Sequence, residues 1–301
     1  MTLEPGPSTD RILRLCEGTP YCPERLLGRG GMGQIYIVTH RELEKQFAMK
    51  VLHPHHENSA RLAERMRIEA QAMARLAHPN IVKVIDFWVP ADGAPCFIME
   101  LLQGHTVGEE LFERRRIPSV EVIEWGCQTL DALAAAHDIG VVHRDITPEN
   151  LFLHQLEHQP RQLKLLDFGI ARILDEVSEM TPTPLRKPTQ SGTRIGSPRF
   201  MSPEGARGQK VDHRADIYSL GLTLYVAFTG KDPYEVRQAS ELVPTGHPGA
   251  KHGSLGLDTI LERALEPKRE DRYQTAREFL ADLTSLRPIR RHSSPWQQFR
   301  R

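Results

Sequence analysis

The chain has 301 residues, 39% hydrophobic and 26% charged, with 39 basic and 39 acidic side chains that cancel. That is enough chain for two lobes with a sizeable core, in the composition of an ordinary soluble globular protein. Zero net charge gives no global reason to expect nucleic acid or an anionic membrane as partner.

The longest apolar run, near residues 219–228, is about ten residues against the roughly 20 that cross a bilayer, so no membrane span is expected. Residues 1–9 are polar and Pro-rich and lack the apolar centre of a signal peptide. Cys16, Cys22, Cys96 and Cys127 show no C-x-x-C spacing and read as free thiols in a reducing compartment. A metal at Cys16 and Cys22 would need further ligands that the spacing does not offer.

Residues 1–20 read as an extension, a loosely packed tail with room for a short helix at 10–17. From Leu26 the pattern changes. Leu27-Gly28-Arg29-Gly30-Gly31-Met32-Gly33 is a glycine-rich turn followed by the β-branched run Gln34-Ile35-Tyr36-Ile37-Val38. These glycines open a strand, not a helix, and no Gly-Lys-Ser/Thr follows, which excludes the dinucleotide fingerprint and the Walker A loop. An ordinary hairpin or a hairpin over a phosphate remains; in the latter, absent side chains let backbone N–H groups approach the ligand.

Phe47-Ala48-Met49-Lys50-Val51-Leu52 reads as a strand with one lysine, either solvated at an edge or turned inward and held by a carboxylate. His53, His55 and His56 read as a solvated loop. Leu62, Met66, Met73 and Leu76 recur at helical spacing over 59–77, with Glu69 among them, and His78-Pro79-Asn80 ends that helix. Residues 81–87 and 96–101 read as paired strands. A long helix is expected over 117–138, with Ile123, Leu130, Leu133 and Ala134 on one side.

The polar stretch His143-Arg144-Asp145-Ile146-Thr147-Pro148-Glu149-Asn150 sits between Gly140-Val141-Val142 and Leu151-Phe152-Leu153, two short expected strands. Leu163-Lys164-Leu165-Leu166-Asp167-Phe168-Gly169 is a strand ending in an acid. Residues 175–194 read as a loop rich in Pro, Thr and Ser. Helical pattern returns at 216–228, 257–265 and 275–286. The basic end, 287–301, reads as a solvated tail, with a docking or juxtamembrane segment as the sharper alternative.

The order is specific: glycine hairpin, strand lysine, helix glutamate, His-Arg-Asp loop with an Asn behind it, Asp-Phe-Gly, Ser-Pro-Glu. Over residues 21–287 the sequence resembles the protein kinase family, and its Gly30-Gly31-Met32-Gly33 and Arg272-Tyr273-Gln274-Thr275-Ala276 resemble the bacterial serine/threonine branch. That resemblance implies an α+β, two-lobed fold: a β-rich N-lobe over 21–101, a helical C-lobe over 105–287, and a tail over 288–301.

It also implies residue roles. The loop from Leu27 to Ile35 would cover the ATP phosphates. Lys50 would bind the α- and β-phosphates and pair with Glu69, with Glu64 as the alternative. Ala48 and Ile35 would roof the adenine and Phe152 would floor it. Met99 would be the gatekeeper, with Glu100 and Leu102 offering backbone groups to the adenine edge. Asp145 would be the catalytic base, and Asn150 and Asp167 would hold Mg²⁺, a hard cation that suits oxygen ligands. Arg144 would receive a phosphate on the activation loop, for which Thr189 and Ser191 are the favoured acceptors among Thr181, Thr183, Thr189, Ser191 and Thr193. Glu204 and Arg272 would form a buried ion pair, and Asp216 would brace the catalytic loop.

The sequence departs from the family at Thr147, where the usual residue is a lysine that reaches the γ-phosphate; either another cation substitutes or turnover is reduced. Residues 233–257 are short and Pro/Gly-rich where the family often has another helix. The function expected is transfer of the ATP γ-phosphoryl group to Ser or Thr of protein substrates in the cytoplasm. A regulatory protein partner has room in that reading. A pseudokinase scaffold is the alternative.

Overall fold

The computed structural model describes residues 7–30, 33–52, 67, 71, 76–90, 94–167, 199–233, 235 and 256–287. The expectations placed on Gly31, Met32, His53, His55, His56, Glu64, Glu69, Phe168, Gly169, the hydroxyls of 181–193 and the tail 288–301 lie outside these residues. Of the helix read over 59–77, Arg67, Gln71, Leu76 and Ala77 are described; Arg67 and Gln71 are helical, whereas Leu76 and Ala77 are not, so the helix does not run to residue 77 as read.

The N-lobe is a five-stranded sheet in the order β1-β2-β3-β5-β4. Its strands are β1 (Tyr21–Gly30), β2 (Gly33–His40), β3 (Lys45–Leu52), β4 (Val84–Trp88) and β5 (Cys96–Glu100). All described pairings are antiparallel. β3 shows how the two faces divide. Phe47, Met49 and Val51 join Tyr36, Val38, Cys96 and Ile98 in one apolar cluster. Ala48, between them, joins Val82 and Met99 in another. A strand's period of two sends neighbours to opposite faces, so β3 separates a structural core from a second apolar wall.

The start of the chain corrects the sequence reading. Residues 7–20 are not a loose tail: α1 (Pro7–Leu15) lays Ile12, Leu15 and the following Cys16 into the first cluster, each buried. The Trp88 indole N–H donates to Leu15 O at 3.0 Å, and Trp88 stacks on Tyr21 with ring centroids 5.8 Å apart. The short helix read over 10–17 is present, one turn earlier; what the sequence did not show is its burial, and as is usual for one so short its stability comes from its buried face.

The C-lobe begins with β6 (Gly104–Thr106) and α2 (Val107–Arg114). Thr106 caps α2, and Glu109 returns a bond to the Thr106 N–H, a capping box. α3 (Ser119–Asp138) carries Ile123, Leu130, Leu133 and Ala134 into the core, the face read from the sequence. α5 (Arg214–Thr229) and α7 (Ala276–Ser285) pack against it, and α6 (Leu257–Ala264) packs on those two. Gly126 of α3 is a contact point: a Cβ there would lie 2.5 Å from Leu283 Cδ2 and 2.8 Å from Leu224 Cδ1. β7 (Leu151–His154) pairs with β6 and with β8 (Gln162–Leu165) in a second small sheet. The short α4 (Pro203–Ala206) is capped by Ser202.

Residues 140–142 are not the strand expected of them. The Gly140 N–H bonds His137 O and the Val141 N–H bonds Ala136 O, with Gly140 at φ +77°. This is a Schellman ending of α3, and it uses up the backbone groups a strand would pair. Among the described residues no helix is long and apolar enough to cross a membrane.

Candidate active site

Asp216, at the start of α5, is fully buried and organises the polar loop. Its carboxylate accepts the His143 N–H at 2.8 Å and the Arg144 N–H at 2.7 Å, and lies 2.8 Å from His137 Nε2 at the end of α3. Burial alone would raise its pKa; the bond and charge of His137 and the Arg144 N–H outweigh this and hold it below the usual aspartate value. The bracing role expected of Asp216 is thus present in the geometry. The part of His137 was not read from the sequence. Its place in the last turn of the long helix, just before the loop, was the available signal.

Within the loop, the Asp145 N–H donates to His143 Nδ1 at 3.3 Å. That leaves His143 Nε2 to donate to Leu166 O, 2.7 Å away. The Leu166 N–H donates to Asn150 O at 2.9 Å. Asn150 Nδ2 donates to Asp145 O at 2.8 Å and to Asp145 Oδ2 at 3.0 Å. Asp145, Asn150 and the strand leading to Asp167 are therefore one hydrogen-bonded unit, although they are spread over more than twenty positions of sequence. Arg144 and Asp167 have φ of +68° and +55°. Side chains other than glycine adopt that region at a cost of about 1–3 kcal/mol each, and such residues cluster at functional sites.

Lys50 is buried on the face of β3 opposite Met49, and its ammonium lies 2.6 Å from Asp167 Oδ2. The inward-facing reading of Lys50 holds, and its carboxylate partner among the described residues is Asp167. Around it, Ala48 and Met99 are buried with Val82, and Ile35, Leu102, Val84, Leu101 and Leu166 pack against them. These form one apolar wall beside the ion pair. Phe152 is half-buried on β7 and is not among the residues of that wall.

The β1–β2 hairpin joins this wall through Ile35, with Gly30 opposite Gly33 and Gly28 opposite Ile35. Leu27 and Arg29 are on β1, Leu27 about half exposed. The glycines differ in what requires them. A Cβ on Gly33 would lie 2.2 Å from Val51 O, so close approach of β2 to β3 demands glycine there. A Cβ on Gly28 or Gly30 would meet nothing within 4 Å. Packing does not demand those two, which fits glycines that leave room for a ligand.

Glu100 ends β5, and its carboxylate accepts from the Lys83 N–H at 2.9 Å and from Lys164 Nζ at 2.8 Å. Lys164 lies on β8, three residues before Asp167. This link between the two lobes was not read from the sequence, where each residue passes for a solvated charge.

Thr147 is 4% exposed and lines a cleft with Arg144, Asp145, Ile146, Phe200, Met201 and Ser219. Among those lining residues the positive charge comes from Arg144, whose Nε is buried without a hydrogen-bond partner among the described residues. Behind the cleft, Arg272 and Glu204 form the expected buried pair, with two parallel bonds of 2.8 Å. Arg272 also donates to Glu266 O and stacks over Tyr218.

The donor set can be tested for a metal. With Nδ2 committed to Asp145, Asn150 presents its carboxamide oxygen, and Asp167 is a partly exposed carboxylate. Two oxygen donors on adjoining segments suit a hard divalent cation that keeps water or substrate oxygens for its other positions. No group of three or more His, Cys, Asp or Glu among the described residues offers a closed protein cage.

The family model described as Protein kinase domain matches residues 21–299. The serine/threonine-protein kinase pkn3 of Myxococcus xanthus is 34% identical over 295 residues, which cover 95% of this chain and 53% of that protein. The serine/threonine-protein kinase PknB of Mycobacterium tuberculosis is 35% identical over 284 residues, covering 87% of this chain and 42% of that protein. The chain thus spans about half the length, or less, of these curated relatives. Among solved structures, the kinase domain of PknI from Mycobacterium tuberculosis superposes with a TM-score of 0.65 at 28% identity, over 88% of this chain and 96% of that one.

Proposed function

We propose, because the chain belongs to the protein kinase family, that it transfers the γ-phosphoryl group of ATP to serine or threonine hydroxyls of proteins. The observation that carries this reading is the joined set Lys50–Asp167 and Asn150–Asp145 beside an apolar wall to which Ile35, at the glycine-rich hairpin, contributes. Phosphoryl transfer asks a protein mainly for positioning and charge stabilisation, and this set supplies both.

In this reading Asp145 accepts the proton of the attacking hydroxyl. Its carboxylate oxygen Oδ2 is already fixed by Asn150 Nδ2. Lys50 neutralises phosphate oxygens. Asn150 and Asp167 hold Mg²⁺, which when bound offsets charge on the β- and γ-phosphates. The hairpin residues Leu27 to Gly33 cover the phosphates, and Ile35, Ala48, Met99 and Phe152 enclose the adenine, with the backbone of Glu100 and Leu102 at its edge. Glu69 remains the proposed carboxylate for Lys50 when nucleotide and metal occupy Asp167. Arg144, whose Nε has no hydrogen-bond partner among the described residues, takes a phosphate from the 168–198 segment, with Thr189 and Ser191 as acceptors. ATP as co-substrate and four free thiols fit the cytoplasm as the place of action.

The test is mass spectrometry after incubation with Mg-ATP and an unstructured acceptor protein. Phosphoserine and phosphothreonine in the acceptor and within residues 175–197 are expected. ATP binding with no phosphate gained by either protein would overturn the transferase reading in favour of a scaffold.

A further inference from the structure

The family match begins at residue 21, yet α1 lies before it and is built into the N-lobe. We propose that α1 is a positioning element of the nucleotide site, acting through Met49 on Ala48 and Lys50; this rests on the ATP reading above.

The outer face of the sheet is apolar: Tyr36 and Val38 on β2, Phe47, Met49 and Val51 on β3, Cys96 and Ile98 on β5. Ile12, Leu15 and Cys16 cover it, and the Trp88 indole pins the end of the helix through Leu15 O. The most direct contact is Cys16 Sγ to Met49 Sδ, 3.7 Å, between two buried side chains. Met49 has 0% exposure, so it cannot shift without moving its neighbours. Along the strand Met49 is flanked by Ala48, in the apolar wall on the opposite face, and Lys50, 2.6 Å from Asp167.

One strand therefore has α1 on one face and the ATP-binding side chains on the other. A displacement of Met49 along the sheet normal becomes a displacement of the Lys50 ammonium. Cys16 is suited to a fixed wedge: burial, with the nearby Cys22, pushes its thiol up to about 11, so it stays neutral and unreactive at ordinary pH.

The experiment compares Cys16→Ala, which opens a gap against Met49, and Cys16→Leu, which overfills it, with Leu13→Ala on the exposed side of the same helix. KM for ATP, KM for the acceptor protein, kcat and Tm are measured on the 301-residue chain. Both Cys16 variants should raise KM for ATP roughly three- to tenfold, with acceptor KM unchanged and kcat within about twofold. Leu13→Ala should match the parent. Should Cys16→Leu fail to fold, the milder Cys16→Ala carries the test. A lowered Tm with unchanged KM for ATP would reduce α1 to scaffolding and overturn the proposal. A parent chain that binds no Mg-ATP would instead remove the nucleotide reading, and this inference with it.

Discussion

Glycines that read alike in sequence do different work. Gly33 is required by the approach of β2 to Val51 O, whereas Gly28 and Gly30 leave open space. A methyl group at Gly30 should therefore leave folding nearly untouched, within about 0.5 kcal/mol, yet weaken Mg-ATP binding by intruding where the proposed reading places the phosphates. Urea unfolding and nucleotide titration of Gly30→Ala read the two effects separately; a large loss of stability would show that packing does require this glycine. The Glu204–Arg272 pair poses the opposite case. Arg272 raises no question in sequence beyond its resemblance, but its side chain is fully buried. Removing one partner strands a buried charge, so Glu204→Gln and Arg272→Met should each cost about 3–5 kcal/mol in urea unfolding, while the double replacement should cost less than their sum. Single variants of near-parental stability would contradict the buried-pair account.

Elements that carry their own periodicity were legible. The face of α3 follows from spacing and β3 was read as a strand, with its lysine left between edge and interior, and the polar loop announces its acids. What was not legible depends on tertiary burial. A short helix near α1 was readable, but its packing was not, because Ile12 and Leu15 are buried only once they find a sheet to cover. Val141 and Val142 look like strand residues, but Gly140 turns their backbone into the end of α3. The loop is fixed from outside, by Asp216 on α5 and His137 on α3. Asp216→Ala would leave the His143 and Arg144 N–H groups buried without partners, at about 1–3 kcal/mol each. It should lower kcat much more than it raises KM for ATP, because Lys50 and the apolar wall lie on other elements. Steady-state kinetics on a variant shown to be folded checks this; a change in KM for ATP alone would contradict the bracing role.

Among the described residues the two lobes are joined both by apolar packing, Ile81 into the C-lobe core and Leu166 against the N-lobe wall, and by polar links. Ile81 bridges to Leu165, Asn80 O accepts the Leu165 N–H, and Lys164 reaches Glu100. Family resemblance made the lobes readable, but these links have no local pattern. Net neutrality also conceals buried charge. Burial raises the Glu110 pKa, but bonds from Arg114 and His105 and the charge of Arg161 outweigh it and lower the value from 4.5 to about 2. A folded pKa below the unfolded one stabilises fully above the unfolded value and loses that contribution as pH falls through the folded one. The stability gap between parent and Glu110→Gln should therefore be largest near about pH 7 and narrow from about pH 4.5 towards pH 2. Urea midpoints across that range read it; a constant gap would mean that Glu110 stabilises by shape alone.

The central claim is that Asp145, held by Asn150 and backed by Asp216, performs the transfer. The most direct measurement is phosphate incorporation by the parent and by Asp145→Asn under identical Mg-ATP conditions, with nucleotide affinity measured on both. The account predicts equal ATP binding and loss of transfer in the variant. Equal phosphorylation by the two proteins would contradict it.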